Sequence, residues 1–211
     1  MFGDLAIREF IEQVASGGPV PGGGSVAALA ASLAAGLAEM VARLTKGRQN
    51  DPGLDERMSA LIDRAAVLRA RLLLAMDEDS EAYGRVLRAY RMANATDHEK
   101  QVRRQTIQEA LKGAATVPFL VAQMAMELLD LLSRAVNEGN KNAVTDGLVG
   151  ALLARSALLG AVANVRINLQ AIDEKSFRRE LGAKADALEN GAEAAEQLLR
   201  SAAQPKLLGG K

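Results

Sequence analysis

Asp79 is the residue of this sequence best placed to move a proton. Steps of three and four residues collect Leu61, Ala65, Leu68, Leu72, Ala75 or Met76, Asp79, Tyr83, Val86 and Tyr90 on one helical stripe, so the aspartate falls among apolar side chains. Asp77 projects about 200° away at 100° per residue and is expected in solvent. A carboxyl among apolar neighbours holds its proton more tightly and can give or take it near neutrality. The structural alternative is an aspartate satisfied by a neighbouring backbone group or arginine.

Other polar residues sit where they could hold a ligand. Asn164 and Asn168 interrupt an apolar stretch at i and i+4, so they share a site or a partner. Buried amides must be hydrogen-bonded, either across helices or to a polar heteroaromatic ligand. Asp146 lies on the same face as Asn164 but 18 residues away, about 27 Å along a continuous helix, so the two cannot serve one atom within one chain. The glycine elbow Pro19-Val20-Pro21-Gly22-Gly23-Gly24-Ser25 precedes a helix, where free amides can hold an anion or a carbonyl oxygen. It is neither a dinucleotide fingerprint, which needs a preceding strand, nor a phosphate loop ending in Gly-Lys-Ser/Thr. Lys46 and Arg48 could bind carboxylates, although cations near a helix C-terminus also suit its dipole. His98, in a capping sequence, is expected to be exposed.

These residues need helices to position them. Ala, Leu, Glu and Arg dominate at helical spacing and aromatics are 3% of the chain, so strands have little to be made from. The first helix is expected over about Leu5–Ala15, with Leu5, Phe10, Ile11 and Val14 inward. The second should cover about Val26–Thr45, with Ser25 as N-cap and the glycines of the elbow free to take positive φ. The third is expected over about Leu54–Ala93. The fourth should start at the capping box Thr96–Glu99, bend at Pro118 and fray at Glu138-Gly139. The fifth is placed from Asn142 or Asp146 to Ile172 and the sixth from Glu174 to Ala203. Together they make an all-α, single-domain bundle of about six helices over residues 1–203, some long and bent, with 204–211 a frayed tail. The second helix carries small residues at four-residue spacing, Ala27, Ala31 and Ala35 beside Ala28, Ser32 and Gly36. They serve core packing or a dimer interface that brings two elbows together.

Composition removes several functions. The 26 basic and 26 acidic residues cancel, so nucleic acid is not an expected partner. With no cysteine and one histidine, disulfides and thiolate sites are excluded, and no metal is expected. The N-terminus lacks the basic and apolar regions of an export signal, which points to the cytoplasm. Two apolar stretches, 25–44 and 143–172, contain Glu39, Arg43, Asp146, Arg155 and Arg166, which suits buried helices better than membrane spans.

Five short motifs in order resemble the cyclodeaminase family: Pro21-Gly22-Gly23-Gly24-Ser25-Val26-Ala27-Ala28, Met40-Val41-Ala42, Asp79 with Ala82-Tyr83, Gly139-Asn140 with Thr145-Asp146, and Asn164-Val165 with Ile167-Asn168-Leu169. That family includes the cyclodeaminase part of formiminotransferase-cyclodeaminase and stand-alone methenyltetrahydrofolate cyclohydrolases. The resemblance implies an all-helical homodimer that uses no metal or further cofactor and takes a tetrahydrofolate derivative as substrate. It implies conversion of 5-formiminotetrahydrofolate to 5,10-methenyltetrahydrofolate and ammonia, or hydrolysis of the methenyl compound to 10-formyltetrahydrofolate. On this reading Asp79 transfers protons. Pro21, Gly22, Gly23, Gly24, Ser25, Tyr83, Asn140, Asp146, Asn164 and Asn168 bind or orient the folate, and Lys46 and Arg48 meet its glutamate tail by charge. A helical scaffold without catalysis is the alternative of another class.

Overall fold

Capping residues set where the long helices begin. Asp51 accepts hydrogen bonds from the amides of Gly53 and Leu54, with Pro52 at the first helical position, and opens α3 (Pro52–Tyr90). Thr96 and Glu99 form the expected reciprocal capping box and open α4 (Asp97–Glu138). The computed structural model describes residues 1–48 and 50–207, and these contain α1 (Ile7–Ala15), α2 (Gly23–Thr45), α5 (Val144–Leu169) and α6 (Lys175–Leu207) besides. One 3₁₀ turn at Phe2–Asp4 precedes α1 and another at Lys141–Ala143 leads into α5. The six expected helices are all present, and no described residue belongs to a strand.

Successive long helices run antiparallel. Ser25 of α2 meets Met76 and Asp79 of α3, whereas the amide of Gly47, just past the other end of α2, reaches Asp55. Arg64 of α3 pairs with Glu127 of α4, Asn168 of α5 donates to the carbonyl of Ala114 of α4, and Arg166 of α5 pairs with Asp186 and Glu189 of α6. Helices α2 to α5 thus form an up-and-down bundle, and α6 covers α4 and α5.

The alanines of α2 are spent inside this bundle. Ala28, Ala31, Ala34, Ala35 and Ala38 are fully buried, and their size lets α3 and α5 approach closely; an added Cβ on Gly160 would lie 3.7 Å from the Cβ of Ala27. The small-residue stripe is therefore core. Helix α2, α4 and the segment 141–169 are long and apolar enough to cross a membrane by length and composition. Their apolar residues contribute to one common core, and several of the charges within them are paired: Glu39 with Arg43 and Arg69, Arg155 with Glu196, and Arg166 with α6.

Several local expectations are corrected. Only Phe10 of α1 is buried, in an edge-to-face contact with Phe2, while Ile11 and Val14 are exposed. Gly22, not Ser25, is the N-cap of α2, and the positive-φ glycines are Gly17 and Gly47 rather than those of the elbow, whose Val20–Pro21 peptide is cis. Helix α6 reaches Leu207, while 208–211 of the expected tail lie outside the described residues.

Close packing of α5 on α4 depends on Gly147 and Gly150. A Cβ on Gly147 would stand 2.5 Å from Cγ2 of Val136, a β-branched side chain with little rotamer freedom in a helix. Gly147→Ala is expected to cost roughly 1–3 kcal/mol by overpacking, measured as a lower urea midpoint at unchanged slope.

Candidate active site

Three helices converge at the N-terminal end of α2. Pro21 is buried, and Gly22 is extended with its carbonyl accepting from the amide of Val26, so the elbow leads straight into the first turn of α2. Asp79 of α3 lies directly beneath that turn. A Cβ on Gly24 would fall 2.2 Å from Oδ1 of Asp79, so the carboxylate occupies space that only glycine leaves open. The hydroxyl of Ser25 lies 2.9 Å from the carbonyl of Met76 and 3.2 Å from Oδ2 of Asp79, either of which can accept its one proton, and 3.2 Å from the hydroxyl of Ser80.

Burial pushes the Asp79 carboxyl above its usual range, and the hydroxyl and amide of Ser25 pull it back only in part. Asp79 thus lies at the bundle's interior edge, on the side the helical stripe assigned to it. Asp77, expected in solvent, is instead partly buried: it accepts from the amide of Phe2 at 2.8 Å, and its second oxygen is buried without a partner. The reason is tertiary, since the N-terminal 3₁₀ turn folds back onto α3 near Leu73.

Helix α5 supplies the amides at this end. A Cβ on Gly23 would lie 3.7 Å from Nδ2 of Asn164, which places Asn164 beside the elbow. Its Nδ2 donates to the carbonyl of Gly160 at 2.8 Å. The Nδ2 of Asn168 donates to the carbonyls of Ala114 and Asn164, each at 2.9 Å. Both hydrogens of the Asn168 amide and one of the two on Asn164 are spent on backbone, and the side-chain oxygens are left as acceptors. Tyr83, one turn beyond Asp79, is exposed. Pro21 to Ser25, Asp79, Tyr83, Asn164 and Asn168 therefore gather at one end of the bundle. Ser80 joins them; its position next to Asp79 in sequence was the available signal, but only the fold turns it toward Ser25.

The remaining candidates lie about 30 Å away, at the far end of α2. Asn140 is held there by three bonds: its amide donates to Thr45, its Nδ2 to the carbonyl of Leu44, and its Oδ1 accepts from the amide of Asn142. Asp146 stands in the first turn of α5. Arg48, Asn140, Lys141 and Lys206 line a cavity of about 610 Å³, and Lys46 lines a separate hollow with Arg43, Ser59 and Asp63. Burial and the nearby Lys141 lower the proton affinity of Lys206. Within one copy, the acid and these cations cannot touch the same small group. Among the described residues, no three His, Asp or Glu side chains converge as metal ligands.

Two measurements probe this arrangement. Gly24→Ala is expected to displace Asp79 and cut turnover at least tenfold, whereas Gly36→Ala, whose added Cβ would meet only Cδ of Arg69 at 3.9 Å, should leave turnover near that of the unsubstituted protein. Because the folded protein raises the proton affinity of Asp79, ionising it costs stability as pH rises past the unfolded value of 3.8, and the cost is complete above the folded value. Asp79→Asn should therefore melt higher than the unsubstituted protein at about pH 8 and lose that advantage toward about pH 4.

The geometry has counterparts in known proteins. The chain is 34% identical over 180 residues to the methenyltetrahydrofolate cyclohydrolase of Methylorubrum extorquens, covering 85% of this chain and 86% of that protein. It is 34% identical over 175 residues to the mouse formimidoyltransferase-cyclodeaminase, covering 83% of this chain and 32% of the larger protein. The crystal structure of formiminotetrahydrofolate cyclodeaminase from Thermotoga maritima superimposes with a TM-score of 0.88 at 28% identity, covering 98% of this chain and 100% of that one. The sequence profile described as formiminotransferase-cyclodeaminase matches residues 6–187, a span that holds the elbow, Asp79, the Asn140–Asp146 joint and both asparagines of α5. A bundle with these residues in this order and this shape belongs to the formiminotransferase-cyclodeaminase family.

Proposed function

We propose that this protein converts 5-formiminotetrahydrofolate to 5,10-methenyltetrahydrofolate and ammonia, with Asp79 as the proton carrier. The observation that carries this reading is a half-buried carboxyl of raised proton affinity, set against the first turn of α2 and next to Asn164. Nitrogen 10 of the folate attacks the formimino carbon, and Asp79 takes the proton that this nitrogen loses. The tetrahedral carbon then carries an amino group, which leaves as ammonia once Asp79 returns the proton to it. A carboxyl titrating nearer neutrality suits both halves of this cycle better than an ordinary aspartate. The steps move protons only and call for no metal or redox cofactor.

The similarity to the Methylorubrum cyclohydrolase favours a second reading on the same site. Asp79 would take a proton from water as it adds to the methenyl carbon and give it to nitrogen 5 as the ring opens to 10-formyltetrahydrofolate, while the remaining hydroxyl proton passes to solvent as the formyl C=O forms. In either case the side-chain oxygens of Asn164 and Asn168 suit the N–H donors of a pterin.

The acting unit on this reading is a cytoplasmic homodimer. On the outer side of α2, Val26, Ala30, Leu33, Leu37, Met40 and Leu44 alternate at spacings of four and three, a coiled-coil seam. Leu33 is 55% exposed, and Val149, Leu152 and Ile167 of α5 are exposed as well. An apolar face of this regularity suits a second copy of itself. Antiparallel pairing of two seams sets the Asp79 end of one copy beside the Lys46 and Arg48 end of the other. That brings acid and cations within reach of one folate.

Purified protein offered 5-formiminotetrahydrofolate should produce methenyl absorbance, and a protein that hydrolyses should instead accelerate its loss from 5,10-methenyltetrahydrofolate. If neither change occurs, the folate reading is refuted. Asp79→Asn should lower kcat about 10²- to 10⁴-fold in a folded protein, whereas a scaffold would be indifferent. Leu33→Glu should convert the dimer to a monomer in sedimentation velocity; an unchanged sedimentation coefficient would place the interface elsewhere.

A further inference from the structure

Resting on the acid–base role of Asp79, we infer that Ser25 is a positioning residue whose hydroxyl turns between two acceptors and so holds Asp79 in one place through both of its protonation states. The family resemblance places Ser25 among the folate-contacting residues, yet it is 0% exposed, and its hydroxyl is enclosed by three oxygens of α3. Those oxygens come from one helical turn: the carbonyl of Met76, Oδ2 of Asp79 and the hydroxyl of Ser80, at i, i+3 and i+4.

A hydroxyl has one proton to donate and two lone pairs to accept with. The Met76 carbonyl can only accept, as can the ionised Asp79. Ser25 cannot satisfy both at once. When Asp79 is ionised, Ser25 donates to Oδ2, and the hydroxyl of Ser80 can donate to Ser25. When Asp79 carries the proton, it donates that proton to the Ser25 oxygen, and Ser25 turns its own toward the Met76 carbonyl. The carboxyl–hydroxyl contact is made in both states. Only a hydrogen changes direction, so Asp79 can alternate between base and acid without moving a heavy atom. Ser25 itself is sealed from solvent, and the carboxylate sits where a side chain on Gly24 would otherwise stand.

The other groups around Asp79 do not compete for its charge. Helix α2 brings only glycines and Ser25, and α5 brings the neutral Asn164. Along α3, Asp77 is engaged by the amide of Phe2, Glu78 pairs with Arg71, Glu81 with Arg85, and Tyr83 is exposed one turn on. No ion pair among the described residues includes Asp79.

The test is Ser25→Ala in the full chain, with Ser25→Cys as a second small replacement if the alanine variant does not fold. Carbon-13 NMR titration of the Asp79 carboxyl in the resting protein should show its midpoint moving upward, since the ionised form loses its hydroxyl donor. The same midpoint should move upward in the pH profile of methenyl formation or loss. kcat should fall about 10- to 100-fold, as expected for a hydrogen bond to a charged group, while KM stays within about threefold. An unchanged NMR midpoint overturns the inference, as does a raised KM at unchanged kcat, which would make Ser25 a substrate contact. Failure of the unsubstituted protein to turn over either folate would count against the proposed function alone, because the NMR titration judges the Ser25–Asp79 pairing without any folate.

Discussion

The closing of α2 onto Asp79 is the contact on which the candidate site depends. A charged side chain from one helix faces the first turn of another at a point where any residue larger than glycine would collide with it. That closeness has two opposing effects. It strips water from the carboxyl, which raises its proton affinity, and it brings the hydroxyl and amide of Ser25 near enough to stabilise the charge again. Desolvation wins, and the site keeps an aspartate ready to exchange a proton.

The bundle is arranged so that this contact can exist. Alanines on the inner faces of α2 let α3 and α5 approach closely along its whole length, and Gly147 and Gly150 do the same between α5 and α4. Larger apolar residues of α2 are displaced to the outer face, where Leu33, Met40 and Leu44 remain exposed. The result is a helix with a thin inner face and a sticky outer one. Buried carboxylates away from the site, Glu39 and Glu196, are each held between two arginines, whereas the half-buried Asp79 belongs to no ion pair among the described residues.

Much of this was legible in the sequence because helices repeat. A 3.6-residue period places Asp79 on the apolar stripe, caps at Asp51 and Thr96 mark where helices begin, and the motifs from Pro21 to Asn168 carry the family. The same period misjudged Asp77, which is well away from the stripe but covered by the N-terminal turn. It also misjudged α1, whose apolar Ile11 and Val14 find no partner in the same copy. Periodicity assigns a face to a residue; it does not say what arrives to cover that face.

By itself, then, the sequence determined the all-helical class, the number of helices, which aspartate lies on the apolar stripe, and the family, since each follows from local propensity, spacing or short motifs. The tertiary structure decided which ends of those helices meet. It separated Asp79 and Asn164 from Asn140, Asp146 and the cations by the length of α2, and it turned Ser25 from a cap into the partner of the acid. It also settled that the small residues of α2 face inward and the heptad seam outward. These outcomes depend on how closely one helix surface fits another, a property of pairs of surfaces that no single helix encodes.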